Sequence, residues 1–273
     1  MNQYILLTGG HSGLGLGVTK KLLKTGNKLG LIIRNESRKQ DFLSELSDFP
    51  KNLVSDIDFF FGDLSDQEQV HAIAQAIREN WDRIDRLFNN AAIVGSSQSM
   101  SRHGNEMHLE INTLAPLILT QELKPLLLAS PDAKVITTVT GGMAKRKLDT
   151  DLFFKDDTPG TMSAYMQSKQ AVMLLMNDLA NDESWQGVKF LSVDPGPNKT
   201  KMTQGGETPW IIRNVFSRFF NEPEIGTQRI YDAGFDKRFS NVNGVYITGD
   251  KIVPVKHLIS TEDKKALMAT IDI

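Results

Sequence analysis

Short apolar runs and amphipathic stretches alternate along the chain. Tyr4-Ile5-Leu6-Leu7 breaks into a glycine-rich turn and is followed by apolar positions at helical spacing, Leu14, Val18, Leu22 and Leu23. That order predicts strand, tight loop and helix. Leu29, Leu31, Ile32 and Ile33 form a second buried strand, and residues 37–46 a helix. Ile57–Phe61 is a third strand, and Val70, Ile73, Ala74 and Ile77 mark a helix over 66–80. Residues 84–88 make a fourth strand. A long helix is expected over 105–129, where Pro116 and Pro125 bend or shorten it. The β-branched run 134–140 predicts a fifth strand, 163–181 a helix and 188–193 a sixth strand. Helical spacing returns over 208–220 and 223–235, and 244–247 is the last strand. Residues 143–160 are polar and read as an irregular surface excursion.

Strand and helix in strict alternation imply an α/β fold: a Rossmann-type, doubly wound parallel sheet of about seven strands with helices on both faces. No repeat, low-complexity tract or linker divides the sequence, so one domain is expected over residues 1–273. In such sheets ligands bind at the carboxyl ends of the strands. The glycine turn lies at the first of these ends, where backbone N–H groups and a helix N-terminus favour a phosphate. Its spacing, Gly9-x-x-x-Gly13-x-Gly15, differs from the common dinucleotide fingerprint, whose third glycine falls at Val18.

Composition narrows the function more than the fold. At 40% hydrophobic and 23% charged, 273 residues bury an ample core without staples. The absence of cysteine removes disulfides, thiolate metal sites and a cysteine nucleophile, and fits a cytoplasmic protein. A net charge of −2 argues against a general nucleic-acid surface. No run approaches the ~18 apolar residues of a membrane span. The five histidines show no metal spacing, and no metal is expected; Lys20-Lys21 and Lys145-Arg146-Lys147 read as solvated surface.

Polar residues at strand ends carry the chemistry. The second strand ends in Arg34-Asn35-Glu36-Ser37-Arg38, where a dinucleotide fold meets the adenosine ribose. Arginine there favours a 2′-phosphate and a carboxylate the free hydroxyl, so Arg34 and Arg38 point to NADP(H) and Glu36 to NAD(H). Asp63 and Asn90 fall at the next two strand ends, and Asn112 sits inside an apolar helix, where an unpartnered amide is costly. Tyr165 and Lys169, one turn apart, share a helix face. Free tyrosine titrates near 10, and a neighbouring ammonium lowers it.

Thr8-Gly9-x-x-x-Gly13-x-Gly15, Asn89-Asn90-Ala91, Asn112, Tyr165-x-x-x-Lys169 and Pro195-Gly196 stand in the order of the short-chain dehydrogenase/reductases, which the chain resembles over about residues 3–250. Within that family it is similar to the retinol-dehydrogenase-like and oxidoreductase-like branch, through Arg34-Asn35 and the long interval before Tyr165. The resemblance implies hydride transfer between NADP(H), favoured over NAD(H), and a carbonyl or alcohol substrate. It makes Tyr165 the proton donor, Lys169 the ribose ligand that tunes it, and Asn112 the anchor of a proton-relaying water. Thr8, Gly9, His11, Ser12, Gly13, Leu14 and Gly15 would form the phosphate loop. Arg34, Asn35 and Arg38 would meet the 2′-position; Asp63, Leu64, Asn90, Ala91 and Ala92 would meet adenosine; Pro195, Gly196 and Thr200 would border the nicotinamide.

One residue departs from the family pattern. Where the family has a serine after the fifth strand this chain has Thr140, which keeps the hydroxyl but restricts χ1, with Thr138 as the second candidate for the role. Residues 198–220, polar and then aromatic, are expected to be a mobile lid over a largely apolar substrate. The family also implies a homodimer or homotetramer through helices at about 106–128 and 163–181. Two other classes stay open: a cofactor-binding sensor or scaffold without turnover, and a membrane-surface protein using 208–220.

Overall fold

The structure, a computed structural model, describes residues 2–95, 100–143, 147–154, 161–198 and 221–271. The lid expected over 198–220 therefore lies, apart from Asn198, outside the described residues, as does Thr200. Among the described residues eight strands form one sheet: β1 Tyr4–Thr8, β2 Lys28–Ile33, β3 Ile57–Phe61, β4 Arg86–Asn89, β5 Ala133–Thr138, β6 Val188–Asp194, β7 Val245–Thr248 and β8 Lys251–Pro254. Their order is β3-β2-β1-β4-β5-β6-β7-β8, parallel throughout except for β8 against β7. The order reverses beside β1, which pairs with β2 on one side and β4 on the other. This reversal is the switch point where a doubly wound sheet opens a crevice.

The helices are α1 Gly13–Leu22, α2 Glu36–Ser44, α3 Lys51–Ser55, α4 Gln67–Asn80, α5 Met107–Leu109, α6 Ala115–Glu122, α7 Lys124–Leu128, α8 Asp151–Phe154, α9 Thr161–Ala180, α10 Pro223–Phe235 and α11 Thr261–Met268. They bury two apolar layers. Ile5, Leu7, Leu31, Ile33 and Phe88 face α1 and α10 on one side of the sheet; Leu6, Ile32, Leu87 and Val135 face α4, α6 and α9 on the other. Alternation along β1 and β2 thus feeds both cores, as a centrally buried strand requires.

Local sequence explains where elements begin and bend. Asp66 caps α4 by accepting from the Gln69 N–H, and Asn35 caps α2 by accepting from the Arg38 N–H. The long helix expected over 105–129 is interrupted by a π-turn at Glu110–Leu114, where the Ala115 N–H reaches the Glu110 carbonyl. Pro116 supplies the cause: a helical proline ring collides with the carbonyl four residues earlier, here that of Asn112. The wider turn relieves the collision and sets Asn112 inside it. Pro125 stands in the first turn of α7, just past the break from α6.

The stretch read as a surface excursion contributes to the core instead. Met143, Leu148 and Phe153 are buried, and Asp151–Phe154 is one helical turn. Thr150 there donates to the Asp263 carboxylate of α11 at 2.6 Å. The pattern also did not single out β8 or α11, short elements whose sequences carry only a few apolar positions.

Candidate active site

The carboxyl ends of β1, β4 and β5 are tied into one platform. The Thr8 hydroxyl accepts from the Asn90 and Ala91 backbone N–H groups, each at 2.9 Å, and donates to the Phe88 carbonyl. Asn90 spans the neighbouring strands, its amide donating to the Thr8 carbonyl and its oxygen accepting from the Thr138 hydroxyl. Above this platform opens a cavity of about 360 Å³.

One wall is the loop from Gly9 to Gly15, which leads into the N-terminus of α1. Gly9 has φ of 66° and its Cα lies so close that a Cβ would meet the Ala91 Cα at 2.9 Å. A Cβ on Gly15 would run into the Gly9 carbonyl oxygen. Only glycine allows this close backbone approach. His11 also lines the wall, and its Nδ1 is buried with no partner among the described residues. Burial holds its pKa below the ordinary histidine value, and the guanidiniums of Arg38 and Arg34 push it the same way.

The opposite wall carries a tyrosine and a lysine. Tyr165 and Lys169 reach it from α9, beside Thr138 and Val139 at the end of β5. Lys169 is 2% exposed, and its ammonium donates to the Thr138 carbonyl at 2.9 Å. Burial alone brings its pKa down to about 7. Tyr165 is pushed up to about 12 by desolvation; a hydrogen bond with Thr140 pulls it down, and the Asp194 carboxylate adds to the rise.

Asn112 does not line the cavity but fixes its floor. Its oxygen accepts from the Ile93 N–H, and its amide donates to the Ile93 carbonyl and the Ser168 hydroxyl, at 2.9–3.0 Å. Ser168 donates in turn to the Tyr165 carbonyl, so Asn112, Ser168 and Tyr165 form a chain across two helices. The amide that looked costly in the sequence is fully used.

Among the other residues named from sequence, Ser12, Gly13, Leu14, Arg34, Leu64, Ala91, Ala92, Pro195 and Gly196 also line the cavity. Asn35, Arg38 and Asp63 stand outside the lining. Asn35 is a helix cap, Asp63 pairs with Arg34 at 3.1 Å, and Arg38 lies 3.8 Å from Asp41. Glu36 is engaged by Gln40 and Lys39 of its own helix. Three further residues had no site role in the sequence reading. Ile93 and Val94 extend the floor, as would any residue following Asn90-Ala91-Ala92. Asp194 ends β6 buried, accepting from Tyr246, Thr248 and the Gly196 N–H. A lone carboxylate closing an apolar strand was the available signal. Beyond it, Asn198 and Asn221 meet in a parallel bridge, so the chain leaves and returns at one point beside the cavity.

This arrangement of glycine loop, tyrosine–lysine pair and helix-borne asparagine defines a class. The family model described as short chain dehydrogenase matches residues 3–209, and the chain belongs to that family. Over 196 residues it is 31% identical to human dehydrogenase/reductase SDR family member 12, a match spanning 71% of this chain and 60% of that protein's length. It is 25% identical to mouse retinol dehydrogenase 13 over 90% of this chain and 75% of the relative. A solved short chain dehydrogenase from Burkholderia cenocepacia J2315, in complex with NADP, shares the fold with a TM-score of 0.68 and 20% identity, covering 91% and 96% of the two chains. Among the described residues no helix is long and apolar enough to cross a membrane, and no cluster of metal-binding side chains occurs.

Proposed function

We propose that the protein is an NADP(H)-dependent oxidoreductase acting on a carbonyl/alcohol pair, with Tyr165 as its proton donor and acceptor. The observation that carries this reading is one cavity holding the glycine loop on one wall and Tyr165 with Lys169 on the other. The residues present fit a dinucleotide. The close approach of Gly15 to the Gly9 carbonyl leaves no side chain between loop and ligand, and the orphaned His11 Nδ1 lies where a phosphate or ribose oxygen is expected. Gly9 to Gly15 would hold the pyrophosphate, Arg34 the 2′-phosphate, and Lys169 the nicotinamide ribose. When bound, NADP(H) supplies or accepts the hydride.

The chain's own residues manage the proton. With its pKa near 12, Tyr165 keeps its proton at neutral pH and can give it to a substrate carbonyl oxygen. Thr140 lies outside the cavity lining but hydrogen-bonds Tyr165, and it would share that oxygen in the place of the family's serine. Lys169, with its pKa near 7, exchanges a proton close to neutrality and so can reload the tyrosine. Asn112 acts indirectly, holding Ile93 and Ser168 so that floor and tyrosine keep their spacing. The substrate is proposed to be largely apolar, since Ile93, Val94, Ile111 and Val139 line the cavity. The cysteine-free composition supports a cytoplasmic setting. Self-association is proposed through the helices at about 106–128 and 163–181; Lys264 of α11 pairs with Asp178 of the second.

The test is oxidation of NADPH and NADH, followed at the nicotinamide absorbance, against a panel of aldehydes and ketones. Turnover that prefers NADPH supports the proposal. Tight cofactor binding without turnover across the panel replaces it with the sensor or scaffold reading.

A further inference from the structure

A second imidazole, unused in the scheme above, lies beside the tyrosine. His108, in α5, is 1% exposed, and its ring packs edge-to-face on Tyr165 with centroids 6.5 Å apart. Its Nδ1 lies 2.7 Å from the Glu106 carboxylate and its Nε2 3.2 Å from the Val94 carbonyl. A carbonyl oxygen only accepts hydrogen bonds, and so does an ionised carboxylate. A ring that satisfies both must donate from both nitrogens and carry two protons.

The Leu109 N–H donates to the other Glu106 oxygen at 2.9 Å, a bond that favours the ionised carboxylate. Burial opposes ionisation, yet the hydrogen bonds hold the Glu106 pKa below the ordinary glutamate value. The alternative, a proton left on Glu106 beside a neutral ring, runs against that balance. The charged and titratable groups around the ring are few. Glu106 is its partner; Glu110, one π-turn on, is taken up by Ser101 and Asn105. Tyr165 meets the ring from α9, and Asp194 acts on Tyr165 from β6.

The placement also has a mechanical side. His108 and Asn112 stand four residues apart on one helix face, and they grip consecutive residues, Val94 and Ile93, of the cavity floor. Resting on the function proposed above, the geometry points to His108 as a positioning residue: a doubly protonated strut, anchored by Glu106, that fixes the Val94 floor and sets a positive charge against Tyr165. That charge eases ionisation of the tyrosine, opposing Asp194, in a site where burial leaves Lys169 only partly charged at neutrality. Glu106 offsets part of it, so the expected effect is modest.

Histidine-selective ¹⁵N NMR at neutral pH reads the ring directly, with His108→Gln to assign the signal and ¹³Cζ-labelled tyrosine to follow Tyr165. The expectation is protonation at both His108 nitrogens. In His108→Gln, which keeps one N–H for Val94, Tyr165 should ionise at higher pH. The substitution should lower kcat/KM roughly 10-fold, move the alkaline side of the pH–rate profile upward, and leave NADP⁺ affinity unchanged. A purely structural role would lower stability without moving the profile. Should His108→Gln fail to fold, Glu106→Gln gives the same test, with His108 expected to drop to one proton. A singly protonated ring in the native protein, or a Tyr165 titration unmoved by either variant, overturns the inference. Because both NMR readouts need no turnover, failure of hydride transfer with a charged His108 would count against the proposed function and not against the strut.

Discussion

Replacing Arg34 with alanine should separate the two cofactors. Arg34 lines the cavity, and both Arg34 and Arg38 are near enough to His11 to act on its charge. Neither guanidinium is tightly committed. Arg34 pairs with Asp63 at 3.1 Å while 55% exposed, and Arg38 lies 3.8 Å from Asp41 while 57% exposed. Exposed pairs of this kind contribute about 0–1 kcal/mol, so little opposes a turn toward a phosphate. A hydrogen bond to a charged group contributes about 1.5–3 kcal/mol. Net of the lost Asp63 pair, Arg34→Ala should cost about 1–2 kcal/mol in NADPH binding, roughly 5–30-fold in Kd. NADH, without the 2′-phosphate, should bind as before. Titration calorimetry on both cofactors, with Arg38→Ala in parallel, measures the difference. Equal losses for NADPH and NADH would mean that Arg34 only shapes the cavity, and an unchanged NADPH affinity would remove the 2′-phosphate from this corner. Glu36→Gln should leave both affinities alone, because Gln40 and Lys39 already occupy that carboxylate.

Asn112→Ala strands the Ile93 N–H and carbonyl and the Ser168 hydroxyl; unfolding in urea should show a loss of about 2–4 kcal/mol. A loss below the scatter of the extrapolation would mean water replaces the amide without cost. Thr140→Ala should lower kcat several-fold while Thr140→Ser stays near the native rate, since the hydroxyl bonds Tyr165; equal rates in both variants would exclude Thr140 from the reaction. Lys169 carries a pH signature. Its folded pKa, about 7, lies below the ordinary 10.5, so between those values the unfolded chain binds more protons and stability rises with pH. Denaturation of the apo protein from pH 7 to 10 should show this rise, on the order of 2–4 kcal/mol from this residue, and Lys169→Met should flatten it. A slope unaffected by the substitution would mean the ammonium is solvated.

The fold was legible because each strand is a short apolar run stopped by a polar or glycine residue. Ile57–Phe61 and Pro223–Phe235 have the limits the pattern gives. Where it failed, burial depended on distant partners. Leu148 and Phe153 sit in a polar stretch and become core only against other elements of the chain, and Leu267 of α11 is wholly buried for the same reason. The π-turn was half legible, since Pro116 marked a disturbance but not the widening that absorbs it. In the site, the motif residues around the cavity could be named from order and spacing. The arrangement that joins Asn112 to Tyr165 through Ser168 could not, because it depends on two helices crossing. His108 was passed over for the same reason: one histidine in an apolar helix says nothing until Glu106, Val94 and Tyr165 surround it.

The central claim is that Tyr165 moves the proton in a hydride-transfer reaction, and single-turnover kinetics of Tyr165→Phe test it most directly. Protein preloaded with NADPH is mixed with a ketone or aldehyde that the native enzyme reduces, and nicotinamide fluorescence is followed. The phenylalanine keeps the ring against His108 and removes only the hydroxyl. The account predicts NADPH affinity within about twofold of native, and hydride transfer slower by about 10²–10⁴-fold, the range of general acid catalysis. Hydride transfer at the native rate would contradict it.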